Sequence, residues 1–565
     1  RPGGIRLMSE KLFEQGLPHD LELQSIAREF LTAIMMEMPC MAKDLGIHRF
    51  DQEMPDLSPE ARQHWQDQLA NWRQRLKGID PNALDVEDYA DWTMLTNQAE
   101  LLWSDATDWN PMKRDPNWYN QVISESVMSL TRRQFQDPNV RAQHLAARLS
   151  KAPELLQWAK VWLDNPPPVF VEIALEQFPA TVFMFEGLGS SFANIDSPRI
   201  VEIEEKSRVL IQAYADFVDF LRERWLTSAS GEYRLGERRF RDRLRWQEGI
   251  DDALPTLLTR GYEELNRLRT LFFATVTQLD PEGSVSDVLA RLYEETPEPS
   301  QVLDQVRGIL EELKTFTEEK HLLDLPPAEH PVVVETPAYL RMTTLASLSP
   351  VGPFEEEARE SYYQITLPEA DAKPSEMIEQ MAEFNPWTLR MISAHEVYPG
   401  HAVQFSWLPQ GRSTVRKILW SGAFVEGWAH YAEELMVDSG YGQGHPLMQL
   451  AEIQEALVRV GRFIVGIRLH TGDMSLDQAK TFFRQQCVMA EPSAHREALR
   501  GTMDPFYLIY TLGKLEILRL RRRAKESWGT EFSLEIFHNR LLAHGAPTLA
   551  VLERLLFPPV EECAK

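Results

Sequence analysis

Cysteine is almost absent. There are three in 565 residues, Cys40, Cys487 and Cys563, odd in number and far apart, with no C-x-x-C pair. That spacing excludes a disulfide framework and a thiolate metal site, and it fits a reducing compartment. Basic charge is also short: 59 Lys and Arg stand against 85 Asp and Glu, for a net charge of −26. Such a chain repels phosphate backbones and anionic lipid surfaces, so nucleic acid is excluded as a partner, and the acidity reads as solubility. No apolar run approaches the ~20 residues that span a bilayer, so stable membrane insertion is not expected. There is no G-x-S-x-G elbow, no P-loop, no repeat of 20–50 residues and no low-complexity tract. Gly187-Leu188-Gly189-Ser190 lacks a full nucleotide fingerprint and reads as a loop. The cysteine usage makes a cytoplasmic location the expectation, and the opening Arg1-Pro2-Gly3-Gly4, without methionine, leaves a periplasmic or secreted one open.

What is present is mostly helix. Hydrophobic residues make up 43% and charged residues 25%, the balance of a globular protein with a large core. Leu21 to Met38 carries Leu21, Ile26, Phe30, Ile34 and Met38 at helical spacing. Pro59 to Leu76 and Asp85 to Asp105 read the same way. Long amphipathic stretches follow at 137–162, 197–226, 254–277, 283–294 and 299–317. Two proline clusters punctuate them, Pro166-Pro167-Pro168 and Pro326-Pro327. After the second, Val332-Val333-Val334 and Tyr362 to Leu367 are β-branched and aromatic, which predicts a small sheet within 331–370. Residues 371–565 turn helical again. The expected fold is mainly α: a large helical body with a deep cleft and a small β-sheet near the metal-binding helix. Residues 1–325 form a helical scaffold and 326–565 a catalytic region, intertwined across the cleft.

The chemistry concentrates after Asn385. Asn385 is a good N-cap and Pro386 a good first helical residue, so a helix runs about three turns to His395. His395-Glu396, with His401 close behind, is similar to the H-E-x-x-H zinc motif, whose histidines share a helix face at i and i+4. Here the spacing is six, which on a regular helix sets the two imidazoles about 120° apart. Pro399-Gly400 falls between them. Proline breaks the hydrogen-bond ladder and glycine permits a bulge, so both histidines can still reach one ion. Two histidines and a carboxylate form a hydrolytic zinc site with an open fourth position.

The carboxylate should come from a second helix, Ser413 to Val437. On it Glu426, His430 and Glu433 share a face, and the small Gly427 and Ala429 allow a close approach to the first helix. Glu426 and Glu433 lie about 10 Å apart along the axis. Glu426 is therefore assigned as ligand, and Glu433 as the group that orients a ligand histidine. His430 reads as a satisfied polar residue beside the site. With 14 histidines in the chain, a chance His-Glu near another His is common. The Pro-Gly where a bulge is needed and the Glu-bearing helix 25 residues on are what single this one out.

The segment His395-Glu396-Val397-Tyr398-Pro399-Gly400-His401-Ala402-Val403-Gln404 resembles the signature of the bacterial family known as domain of unknown function 885. That family is similar to the gluzincin metallopeptidases, with angiotensin-converting enzyme and dipeptidyl peptidase III as distant architectural relatives. Glu426-Gly427-Trp428-Ala429-His430-Tyr431-Ala432-Glu433 looks like a second block of the family. Glu497, Arg500, Pro505, Tyr510 and Gly513-Lys514 resemble a third, and Phe537-His538-Asn539-Arg540 a C-terminal one. Two positions depart from the pattern: Gly501 stands where the family tends to have tyrosine, and His430 replaces an apolar residue. The resemblance implies a zinc metallopeptidase with one Zn2+ per chain, acting on a peptide or a small amide. Glu396 would then be general base, and Tyr510 would stabilise the oxyanion. Arg500 would bind a substrate carboxylate or be structural, and Tyr398 would line the pocket. A metal-dependent amidase using the same residues, and an inactive helical binding scaffold, are the competing readings.

Overall fold

In the computed structural model, residues 13, 15–192, 195–327, 330–336, 345–369 and 372–559 are described. Cys563, the chain's first residues and part of the expected sheet region (337–344 and 370) lie outside them. The fold is mainly α with one small sheet, as the periodicity predicts. Leu21–Glu37, Pro59–Gly78, Val86–Thr107, Pro138–Trp162, Ser197–Arg224 and Leu254–Leu279 (α1) are helices within a few residues of their expected bounds.

Among the described residues, three helices of more than ten residues lie outside the expected ones. Pro116–Met128 and Pro168–Phe185 each begin with proline in the first turn, where its missing N–H costs nothing. The Pro166-Pro167-Pro168 cluster, which reads as a break, is therefore a helix start, whereas Pro326-Pro327 starts none. Gly236–Glu248 is strongly charged and buries only Phe240, Leu244 and Glu248. Pro168–Phe185 is also long and apolar enough to cross a membrane by length and composition, although no such run stood out in the sequence. Its Phe170, Val171, Ala174 and Phe178 are packed inside the protein.

The sheet holds three strands, β1 (Val332–Glu335), β2 (Ala346–Ser349) and β3 (Tyr362–Ile365), in the order β1-β3-β2. β1 pairs parallel and β2 antiparallel with β3, which leaves β2 at an edge. Tyr363, fully buried on β3, meets Ser393 Oγ at 3.2 Å, and this contact seats the sheet on the metal-site helix.

Five helices carry the site: α2 (Pro386–Glu396), α3 (His401–Trp407), α4 (Gly422–Asp438), α5 (Pro446–Thr471) and α6 (Ile509–Trp528). They share one buried apolar core with α1 that runs from Leu235 to Leu552, straight through residue 325. Two further cores lie in the N-terminal half. One is built from residues 54–225, and the other joins helices 21–102 to Val415, Ile418, Leu419, Val551 and Leu555.

The helix expected over Ser413 to Val437 is in fact two. Thr414–Ile418 ends at Leu419, and α4 starts afresh at Gly422. Ser421 caps α4 by accepting the Phe424 N–H. Its own hydroxyl donates to the buried Glu248 at 2.6 Å, and Glu248 also takes the Ala423 N–H.

Candidate metal centre

Asn385 starts α2 as its sequence predicts, its side chain accepting the N–H groups of Trp387 and Thr388. Such a cap contributes about 1 kcal/mol. The helix ends at Glu396, and here the structure differs from the expected bulge. Val397 and Tyr398 both reach back to the Ser393 carbonyl, the Tyr398–Pro399 peptide is cis, and α3 begins at His401. The two histidines thus sit on two helices joined by a tight corner. Gly400 is needed there for closeness: a Cβ on it would lie 1.8 Å from the His395 carbonyl oxygen. The indole of Trp428 on α4 holds the corner, donating to the carbonyl oxygens of Pro399 (3.0 Å) and Gly400 (3.3 Å).

Across this corner the ligand-type atoms of His395, His401 and Glu426 all come within 4.8 Å of one another. Glu426 Oε2 lies 3.5 Å from His395 Nε2 and 3.4 Å from His401 Nε2. The imidazoles are near perpendicular, with centroids 4.8 Å apart. Behind them, His395 Nδ1 donates to Glu433 Oε1 at 2.6 Å, and Arg459 on α5 donates to Glu433 Oε2 at 3.1 Å.

This arrangement fits a cation. With the Nδ1 proton given to Glu433, His395 Nε2 turns a lone pair toward the Glu426 carboxylate, and the two repel unless a proton or metal ion lies between them. Ligands bound about 2.0–2.1 Å from a tetrahedral zinc ion stand about 3.3–3.4 Å apart, close to the two separations seen here. His401 Nδ1 is buried and has no hydrogen-bond partner among the described residues. The electrostatics agree. Burial alone would lower the His395 pKa, but Glu426 and Glu433 raise it to about 9. Burial would raise Glu426 and Glu433. Glu426 is instead held well below the carboxylate range by the two histidines, and Glu433 is held low by Arg459 and His395. The only other metal-capable group among the described residues is His19, Asp85 and Asp88. There Asp88 is already occupied by the backbone N–H groups of His19 and Asp20.

Glu396, next to His395 in the chain, has Oε2 accepting the Leu348 N–H of edge strand β2 at 3.0 Å. Tyr510 is brought to the site by α6. Its ring faces the guanidinium groups of Arg459 (5.8 Å) and Arg462 (5.3 Å). Burial and the nearby Glu426 raise its phenol pKa, while Arg462 and Arg500, the latter hydrogen-bonded to it, pull the other way. Arg500 is also tied to Asp504 at 3.1 Å. His430 is fully buried 3.7 Å from Glu433. Burial, with Lys514 and Arg459, drops its pKa to about 3, so it stays neutral. The Tyr398 hydroxyl meets His330 Nδ1 at 2.9 Å, and burial raises its pKa to about 12.

Gly427 does not serve the approach to α2 that its size suggests. It packs on Gly513 of α6, where a Cβ would meet the Gly513 Cα at 2.4 Å. Lys514 beside it is fully buried and bridges Glu434 on α4 (2.7 Å) to Glu264 on α1 (2.9 Å). Glu497 holds Arg462 through two 2.7 Å bonds. In the C-terminal block, His538 bridges Tyr431 and the Leu322 carbonyl, and Asn539 grips Asp324. The space beside Gly501 is taken by Tyr507, whose hydroxyl a Cβ would meet at 2.4 Å. Arg459 was missed in the sequence. Its only signal is a charge on the buried face of a long apolar helix.

These features define a mainly helical protein with a buried two-histidine, one-carboxylate cluster at a helix corner. The chain belongs to the family described as "Bacterial protein of unknown function (DUF885)", whose model matches residues 39–556. Two solved structures share the fold. One is a candidate lipoprotein of unknown function from Shewanella oneidensis, 20% identical with a TM-score of 0.77, the match covering 94% of this chain and 98% of that one. The other is a candidate lipoprotein from Colwellia psychrerythraea, 21% identical with a TM-score of 0.78 and the same coverage. Among curated proteins none matches the chain.

Proposed function

We propose that the chain is a zinc-dependent hydrolase, a metallopeptidase acting on short peptides. The observation that carries this reading is the convergence of His395 Nε2, His401 Nε2 and Glu426 Oε2, with Glu433 fixing the His395 tautomer. These three side chains would hold one zinc ion per chain. When bound, such an ion polarises a carbonyl and acidifies water.

The remaining work falls to the protein. Glu396 is anchored through Oε2, which leaves Oε1 to take a proton from the attacking water and pass it to the leaving amine. The Tyr510 phenol, kept protonated, donates to the developing oxyanion. Arg500 positions Tyr510, since its guanidinium is already engaged by Asp504. Glu433 and Arg459 hold His395 from behind. The gluzincin kinship and the deep cleft belong to this proposal. So does location: both neighbours are described as candidate lipoproteins, which supports an extracytoplasmic place over the cytoplasmic expectation.

Elemental analysis of wild type beside His395→Ala and Glu396→Gln, each assayed on a mixed peptide library, tests the reading. The expected result is about one zinc in wild type, none in His395→Ala, and zinc without cleavage in Glu396→Gln. If wild type takes no zinc when zinc is supplied, the proposal is wrong and a binding scaffold replaces it. Zinc without peptide cleavage moves the function to a non-peptide amide.

A further inference from the structure

A cavity of about 670 Å³ lies between the N-terminal helices and the segment Ile418-Leu419-Trp420 that links Thr414–Ile418 to α4. That volume is the size of a small-molecule site and far beyond a packing defect. Its floor is apolar, formed by Ile34, Leu57, Trp65, Leu102, Met112 and Leu419. Its charges are lopsided: Glu37, Asp44, Asp105 and Glu125 against Arg62. Arg62 is already paired with Glu37 at 2.6 Å. Asp44 is paired with Lys43, and Asp105 with Arg243. The Glu125 carboxylate accepts from the Gln121 amide at 3.0 Å and lies in the field of Arg132. Among the residues that line the cavity Arg62 is the one cation and it is already paired, whereas a bound cation would find the Glu125 carboxylate and the tryptophan faces.

Two aromatic contacts lie between the metal centre and the cavity wall. Phe405 on α3 lies 5.9 Å from the His401 ring, and Trp420 in the cavity wall lies 5.2 Å from Phe405. Together they span no more than about 11 Å, the reach of about three extended residues. We infer that this cavity is a remote subsite of the proposed peptidase. It takes a bulky apolar group bearing a positive charge, about three residues from the bond that is cut. The subsite assignment rests on the peptidase reading; the ligand class rests on the cavity alone.

Three probes with one apolar body separate these points: 4-phenylbutylamine, 4-phenylbutan-1-ol and 4-phenylbutyric acid, each titrated calorimetrically into the whole zinc-free protein. The amine should bind at least tenfold tighter than the acid, with the alcohol between. Val122→Trp, which fills the cavity, should abolish amine binding, and Glu125→Gln should cut the amine's advantage about threefold. Met38→Trp at the more exposed edge replaces Val122→Trp if that variant fails to fold. Equal binding of the three probes, or amine binding that survives cavity filling, overturns the ligand class. With zinc-loaded protein and a peptide library, products should be enriched in a basic or amino-terminal group beside a large apolar side chain about three residues from the cut, and Val122→Trp should erase that enrichment. Cleavage without the enrichment overturns the subsite and leaves the peptidase standing. Tight amine binding with no cleavage of any peptide overturns the peptidase and the subsite together, and leaves the ligand class.

Discussion

Replacing Glu433 by glutamine tests how the ligand set is held. Glu433 is buried, touches no metal-facing atom, and accepts the His395 Nδ1 proton at 2.6 Å and the Arg459 guanidinium at 3.1 Å. Glutamine keeps the shape and one acceptor oxygen but removes the charge. A buried, charge-assisted hydrogen bond contributes about 1.5–3 kcal/mol, and loss of such a partner costs a metal site about 10–100-fold in affinity. Arg459 worsens the effect. Its Nη2 lies 3.4 Å from His395 Nδ1, donor against donor, and without the carboxylate its remaining ion pair among the described residues is Glu455 at 3.3 Å. Zinc affinity measured by chelator competition should fall about 10–100-fold in Glu433→Gln, with helical content unchanged. An affinity equal to wild type would refute the claim that this carboxylate orients His395. A complete loss of zinc from a folded variant would instead make Glu433 a ligand and refute the assignment of Glu426.

Two further outcomes follow from the corner and its charges. Gly400→Ala drives a methyl into the carbonyls of His395 and Ala394, and should destabilise the fold by about 3 kcal/mol in chemical denaturation while lowering zinc content; wild-type stability would contradict the corner geometry. In zinc-free protein the His395 pKa is raised from 6.5 to about 9, so its stabilising contribution is full below pH 6.5 and is lost as pH rises through about 9. Zinc-free stability should therefore fall by about 3 kcal/mol over that window, and apparent zinc affinity should weaken about tenfold for each pH unit below 9 as a proton competes for the site. A flat zinc-free profile would show that the carboxylates do not act on His395.

Local rules settled much in advance. Asn385-Pro386 starts a helix because a side-chain acceptor and a missing N–H suit a first turn wherever they occur, and apolar spacing marked the long helices because burial of one face needs no knowledge of the partner. Glu426 and Glu433 could be separated by rise along one helix, a property of that helix alone. Long-range contact decided the rest. Whether six residues between histidines made a bulge or a corner turned on the Trp428 indole, which arrives from another helix to hold two carbonyls. The break at Leu419 to Ser421 depended on Glu248, 173 residues away in sequence, and it is this break that puts Trp420 in the cavity wall. Arg459 gained meaning only when α5 packed behind α4 and set its guanidinium on Glu433. Periodicity and capping depend on neighbours within one turn, so the chain declares them. The partners of a buried charge come from distant segments, so only tertiary packing chooses them.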